Sequence, residues 1–383
     1  MRKKHQKHAN LSKPNYGNFA RNEWAIIGAP CGNIQRLAYG LINILKDTYK
    51  VGYVDADHKN ADDPDDLGNE NPALINGASL EYTDKIFHHR FDTKSKLDVY
   101  QYRTYCNEQD LVLVNGNHFK AKNQIVVIDP KKEKSLEKKL DRLTNVELLL
   151  LLEERQEVYP FLKDYLPENV TVLNFSATQS IADIILKKMK AAIPPLYGLV
   201  LAGGKSTRMG TDKGALNYHG KPQREYLADL LDQFCEKTLM SVRPDQGIES
   251  AYEQLEDTFF GLGPFGAILS GFRQYPNVAW LVVACDLPLL NEATLRFLIE
   301  NRNVSQHATA IYNPDTNFPE PLITIWEPRS YPVLFQFLAQ GYSCPRKILI
   351  NTAIELLYLE DYKVLMNVND REGYERVKRN GIT

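Results

Sequence analysis

The chain has 383 residues, 43% of them hydrophobic and 25% charged, the balance of a globular protein with room for two domains of ordinary size. A formal charge of −2 sets up no global field for a nucleic acid or a membrane surface, and neither is expected as a partner. The five cysteines, Cys31, Cys106, Cys235, Cys285 and Cys344, stand far apart with no C-x-x-C pair, which argues against a zinc site or a disulfide framework and for a reducing cytoplasm.

Residues 1–22 are basic and lack an apolar core, so they read as a solvated tail and not as a secretory signal. The first strand lies in WAIIGAPCGNIQRL, Trp24 to Leu37, where an apolar run meets glycines and then a helical pattern. That is the outline of a phosphate-binding loop, G-x-x-x-x-G-K-[ST], whose lysine meets phosphates and whose hydroxyl holds magnesium. Counted from Gly28, the last three positions are Asn33, Ile34 and Gln35, and none replaces the charge or the metal ligand. Further strands are expected near Lys50–Val54, Asp110–Val114, Gln124–Ile128, Val146–Leu152 and Val170–Phe175. The leucine run Leu148–Leu152 is far too short to span a bilayer. DADHKNADDPDD, Asp55 to Asp66, is dense in acid; with a proline and no hydrophobic rhythm it reads as an exposed loop in preference to a cation site. In SATQSIADIILKKMK, Ser176 and Gln179 have capping-box spacing, and Ile181, Ile184, Ile185 and Met189 share a helical face.

Two prolines in AAIPPLYG force a turn, which puts a boundary between Lys190 and Leu196 and domains over 23–190 and 196–383. YGLVLAGG is then a strand ending in glycines, and REYLADLLDQFC has helical spacing at Leu227, Leu230, Leu231 and Phe234. AWLVVACD is a buried strand ending in a carboxylate, and NEATLRFLIENR a helix capped by Asn291. EPLITIW and AIELLYLE read as strands, and DREGYERVKRNG as a last helix capped by Asp370. Strands alternating with helices throughout imply α/β architecture with mainly parallel sheets.

LVLAGGKSTRMGTDKGAL, Leu199 to Leu216, carries the chemistry. A buried strand brings the chain to a sheet edge, where Gly203 and Gly204 let the backbone turn tightly and approach a ligand. Freed amides in such a loop cradle oxyanions. Arg208 and Lys213 add two cations, the first able to fork onto phosphate oxygens and the second acting as a point charge. Ligands of open α/β sheets bind at these carboxyl ends.

The string G-G-x-S-x-R-M-G-x-D-K resembles the signature of the molybdenum cofactor guanylyltransferase family, within the nucleotidyltransferases. DTFFGLGPFGAI resembles the family's Asp-then-G-P-x-x-G segment, at Asp257, Gly263, Pro264 and Gly266. Its letters also fit the dinucleotide fingerprint G-x-G-x-x-G, a reading set aside because no convincing strand runs into it and Pro264 sits inside the turn. WLVVACDLP resembles the metal-binding strand end, with Asp286, and LMNVND the closing Asn-x-Asn segment, with Asn367 and Asn369. On their own residues, the acid is equally a helix cap or loop charge and the asparagines a polar turn. Arg346 and Lys347 in CPRKIL face either a pterin phosphate or solvent. The likeness covers about Leu196 to Lys378; it departs from the family at LMSVRPDQ, where many members have Asn and this chain has Ser241 and Arg243.

The resemblance implies a nucleotide-diphospho-sugar-transferase-like domain that moves GMP from GTP to the terminal phosphate of Mo-molybdopterin and releases pyrophosphate. Arg208 and Lys213 would serve the leaving β,γ-phosphates, and Asp286 would hold Mg²⁺. Leu201, Ala202, Gly203 and Gly204 would grip base and ribose, with Ser241 and Asp257 at the nucleoside end. Gly263, Pro264, Gly266, Asn367 and Asn369 would bind the second substrate. A phosphate is already a nucleophile, so positioning and charge neutralisation suffice. LAGG leans toward guanine: cytidylyl relatives usually carry LAAG, and the missing methyl at Gly203 leaves room for the exocyclic amine.

In the first half, YKVGYVDADH and DLVLVNGNHFKAKNQIVVID resemble the second strand and the DLVLVEGF segment of the molybdopterin-guanine dinucleotide biosynthesis protein B family, with Asn115 where the acid would be. The expected architecture is therefore two Rossmann-like three-layer α/β domains. The P-loop-like one keeps the fold without the NTPase chemistry, and would dock other molybdenum cofactor biosynthesis proteins or hold molybdopterin itself. A cytidylyltransferase, a sugar-phosphate nucleotidyltransferase and a non-enzymatic molybdopterin carrier stay open as alternatives. A carrier has no need of Arg208, Lys213 and Asp286 together.

Overall fold

The computed structural model describes residues 12–56, 72–153, 157–204 and 212–380. They form two units: Tyr16–Ala191, and the chain from Ala192 onward together with the described residues before Tyr16.

The first unit contains Glu23–Ile27 (β1), Val51–Val54 (β2), Leu80–Asp84 (β3), His89–Thr93 (β4), Leu111–Asn115 (β5), Asn123–Ile128 (β6), Val146–Leu151 (β7) and Thr171–Asn174 (β8). Six of these make a sheet in the order β2-β5-β1-β6-β7-β8, every pairing parallel. Trp24, Ile26, Ile125 and Val127 pack under the helices Cys31–Leu45 and Thr178–Ala191, while Ile27, Val126 and Ile128 fill the cluster on the other face. Burial on both faces is why these strands read as unbroken apolar runs. The antiparallel hairpin β3–β4 stands as its own two-stranded sheet and was not foreseen, because LEYTD and HRFDT carry no sustained apolar run.

The turn after β1 requires its first glycine. Gly28 has φ +97°, and a Cβ there would lie 2.3 Å from the Val127 carbonyl oxygen. Gly32 carries no such demand, since a Cβ on it meets nothing within 4 Å. The capping box expected at Ser176 does not form. Asn174 Oδ1 accepts from both the Ser176 amide and its hydroxyl, and the Gln179 amide donates to Asp183 instead. The nearer asparagine captures the serine before the helix begins.

The second unit contains Leu196–Leu201 (β9), Lys237–Val242 (β10), Glu253–Glu256 (β11), Ala279–Ala284 (β12), Ala308–Asn313 (β13), Phe318–Trp326 (β14) and Ile354–Leu357 (β15). The sheet order is β11-β10-β9-β12-β14-β13-β15. β9 to β12 run parallel, but β14 is antiparallel to both β12 and β13, because a short turn with Asn317 at φ 58° folds β14 straight back on β13. Leu227, Leu231, Leu295 and Leu298 cover one face; Phe265, Ile268, Phe272 and Leu334 cover the other. Asn291 caps its helix by accepting from the Thr294 amide, and Asp370 accepts from Gly373.

Candidate active site

The parallel strands of the second unit end in register. Ala284 pairs with Leu201, Leu201 with Ser241, and Val242 with Glu256. Four chain segments therefore leave the sheet side by side, about 4.8 Å apart. They carry Asp286 after β12, the glycine bend after β9, Arg243 after β10 and Asp257 after β11. With Lys213 they line a cleft of about 870 Å³. Leu201, Ala202, Gly203, Gly204, Ser241, Gly263, Pro264 and Asn369 line it too. Gly266 is buried and does not, and Arg208 lies outside the described residues.

At one end sit Lys213 and Asp286. Lys213 opens a short turn in which Asp212 accepts from the Gly214 amide at 2.9 Å and from Arg224 Nη1 at 2.7 Å. Lys213 Nζ donates to Asn369 Oδ1 at 2.5 Å and lies 3.9 Å from Asp286 Oδ2. The Asn367 side chain donates to the Asp286 carboxylate, and the Val368 amide donates to the Asp286 carbonyl oxygen at 2.8 Å. The Asn-Val-Asn segment thus clasps the strand end that carries the acid. Burial pushes the Asp286 carboxyl above its usual range, against the pull of Lys213 and Asn367. Asp286 Oδ1 is buried with no hydrogen-bond partner among the described residues. An orphaned carboxylate oxygen beside an open cleft suits a hard, oxygen-seeking cation.

At the other end, Ser241 Oγ donates to Asp257 Oδ1 at 2.7 Å, and burial raises the Asp257 carboxyl. Arg243 Nη1 donates to the Gly203 carbonyl at 2.6 Å and Gln246 Nε2 to the Ala202 carbonyl at 2.9 Å, so the bend is held by side chains from after β10. Neither Gly203 nor Gly204 has a positive φ. The bend therefore makes no use of left-handed backbone; what Gly203 contributes is the open space of a missing side chain, since a Cβ there would reach ordinary contact, 3.4 Å, with Asp257 Oδ2 and the Arg243 nitrogen.

The G-x-G-x-x-G letters resolve differently from the expectation as well. A strand, β11, does precede them, but it does not run into them: the loop from Asp257 to Phe260 intervenes. Pro264 opens the helix Pro264–Gln274, with Gly263 as its N-cap at φ 57°. A Cβ on Gly266 would lie 2.2 Å from the Phe259 carbonyl oxygen, so this glycine lets the helix start pack against the cleft loop. Arg346 does not line the cleft: it pairs with Glu320 on β14 at 3.3 Å and keeps about a third of its side chain exposed.

Residues 198–354 match the MobA-like NTP transferase domain family. A probable molybdenum cofactor guanylyltransferase from Carboxydothermus hydrogenoformans is 30% identical over 185 residues, covering 46% of this chain and 92% of that relative. The chain belongs to the MobA-like NTP transferase family. A molybdenum cofactor biosynthesis bifunctional protein from Synechocystis is 37% identical over 186 residues, 48% of this chain, and the match spans only 54% of that relative. Among solved structures, molybdopterin-guanine dinucleotide biosynthesis protein A from Archaeoglobus fulgidus matches with a TM-score of 0.42 at 20% identity, covering 48% of this chain and 97% of that one.

Within the MobA-like domain, Asp212 stands in the G-G-x-S-x-R-M-G-x-D-K string but is given no role by the sequence reading, and Arg224 and Gln246 are not singled out there; the first two fix the turn carrying Lys213 and the third holds the bend. Asp212 had a signal, since an acid one residue before a short turn is a cap. Gln246 had none, because its partner is 44 residues away. Outside that domain, Ile34 is fully buried and Gln35 Nε2 donates to Asp55. Tyr53 and Asn115 donate to the same carboxylate at 2.6 and 2.7 Å. Of the acidic stretch, Asp55 is therefore a half-buried acceptor, and 57–66 lie outside the described residues.

Proposed function

We propose that the MobA-like domain transfers the GMP unit of GTP to the terminal phosphate of Mo-molybdopterin, releasing pyrophosphate. One observation carries this reading: the glycine bend, Lys213 and an acid with an unpartnered buried oxygen converge on one cleft at the ends of adjacent strands. Asp286, whose buried Oδ1 has no hydrogen-bond partner among the described residues, would hold Mg²⁺. When bound, that ion neutralises charge on the reacting phosphates. Lys213, kept in place by Asp212 and Asn369, takes the charge of the departing pyrophosphate, with Arg208 as its companion. The bend and Asp257 hold the nucleoside, so the α-phosphate presents one face to the incoming phosphate oxygen. Asn367 and Asn369 tie this centre to the C-terminal segment, on the side from which the pterin phosphate enters.

The first unit is on this reading a P-loop-like domain without hydrolysis. The lysine position is a core isoleucine, and Gln35 and Asn115 are committed to Asp55. It serves docking of other cofactor-handling proteins or of molybdopterin. Among the described residues no helix is long and apolar enough to cross a membrane.

The test is pyrophosphate release from Mg-GTP with and without molybdenum-loaded molybdopterin. Release dependent on both substrates supports the proposal. Release with CTP in place of GTP, or from a sugar phosphate in place of the pterin, selects one of the rival transferases. Binding of the pterin without any release makes the chain a carrier.

A further inference from the structure

We infer that Arg243 reads the base, its guanidinium meeting the O6 and N7 acceptors of guanine and setting the preference for guanine over adenine and cytosine. The inference rests on the proposed nucleotidyl transfer and assigns its specificity to one cleft-lining side chain.

Strand order gives the placement. β10 lies two strands from β12, so the segment carrying Arg243 leaves the sheet roughly 10 Å from the one carrying Asp286. Lys213 and the unpartnered, buried Asp286 Oδ1 mark the triphosphate end. The Asp257 carboxylate, one strand beyond Arg243, repels phosphate. A nucleotide laid along these strand ends therefore puts its base between Gly203, Arg243 and Asp257. Gly203 leaves that space open: a methyl there would stand 3.4 Å from Asp257 Oδ2 and 3.6 Å from Arg243 Cγ.

The guanidinium is oriented before any ligand arrives. Nη1 donates to the Gly203 carbonyl at 2.6 Å and Nε to Asp245 Oδ1 at 3.1 Å, while the side chain lines the cleft and stays 28% exposed. Among the described residues Nη2 has no partner, and Nη1 uses one of its two N–H groups, so the tip of the guanidinium keeps an N–H on each of two nitrogens. A held planar fork is the group that pairs with two acceptors on one edge. Guanine offers O6 and N7 there, whereas adenine sets its N6 amino donor against the cation, and cytosine has no N7. The carbonyls of Ala202 and Gly203 each already accept one hydrogen bond, from Gln246 and Arg243.

The experiment measures equilibrium binding of Mg-GTP, Mg-ITP, Mg-ATP and Mg-7-deaza-GTP to the full chain and to its Arg243→Ala and Arg243→Lys variants, with the nucleotide-free melting temperature of each. The expected wild type binds GTP and ITP better than ATP, and 7-deaza-GTP more weakly than GTP. Arg243→Ala should weaken GTP and ITP by roughly tenfold to a hundredfold, change ATP little and abolish the 7-deaza difference. Arg243→Lys keeps stem and charge, so it stays informative if the alanine variant melts early; it should recover part of the affinity without the N7 dependence. An equal loss for GTP and ATP in both variants would make Arg243 a clamp on the loop and overturn the inference while leaving the transferase proposal standing. A wild type that binds CTP in preference to every purine nucleotide overturns both.

Discussion

Asp286→Asn is the sharpest test of the proposed centre. The substitution keeps shape and removes one charge. At 3.9 Å, the attraction between Lys213 and this carboxylate is about 4 kcal/mol at an effective dielectric constant near 20. That gain works against a burial penalty large enough to leave the carboxyl raised on balance. The two effects largely cancel in the nucleotide-free protein, and Lys213 keeps Asn369 as a partner, so apo stability should change by no more than about 1 kcal/mol. The ligated protein should differ sharply. Saturation at a hundred times Kd stabilises by about 2.7 kcal/mol. For a domain of this size that raises Tm by roughly 5–10 °C. Wild type should show that rise with Mg-GTP, and Asp286→Asn should show little of it and lose about a thousandfold in turnover, near 4 kcal/mol of transition-state stabilisation. Differential scanning fluorimetry with and without Mg-GTP, beside a pyrophosphate assay, reads both. Turnover within tenfold of wild type, with the full thermal shift kept, would remove the acid from the mechanism.

Gly203→Ala should fold normally, because the added methyl meets only ordinary contacts at 3.4 Å, yet it should weaken GTP binding about tenfold by filling space beside Asp257; calorimetric titration measures it. Gly266→Ala puts a Cβ 2.2 Å from a backbone oxygen, so urea unfolding should register a loss of about 1–3 kcal/mol, with GTP affinity falling as the loop at Phe259 shifts. In the first unit, burial would push the Asp55 carboxyl up, but hydrogen bonds from Tyr53, Ala56, Gln35 and Asn115 outweigh it and hold the carboxyl below its usual range. A depressed carboxyl stabilises the fold fully above its unfolded value of 3.8, and that stabilisation is lost as pH falls through the folded value. Asp55→Asn should therefore cost about 2 kcal/mol at neutral pH, and the gap to wild type should close in acid, as chemical unfolding across pH would show. A gap that stays constant down to the acid limit would mean that the lost charge is not its source.

Local chemistry is legible in the letters. Buried parallel strands announce themselves as apolar runs, because both faces pack and no polar alternation intrudes, so β1, β5, β6, β9 and β12 could all be read from the letters. The glycine bend and Lys213 were readable for the same reason, as a short-range pattern of strand, turn and charge, whereas Asp286 was singled out only by the resemblance of WLVVACDLP, its own residues fitting a cap or loop charge equally well. Which groups meet is set by the fold. The reversed direction of β14 follows from a turn whose consequence depends on β13 already being in place. Lys213 finds Asn369 across 156 residues, and Arg243 finds Gly203 across 40, because sheet order sets β9, β10 and β12 side by side and the C-terminal segment closes over their ends. Ser176 gave the converse lesson, for a correct local spacing lost to a nearer acceptor. A pattern within a few residues fixes which groups a segment can offer; the partner that takes them is fixed by strand order and register, which no single segment contains.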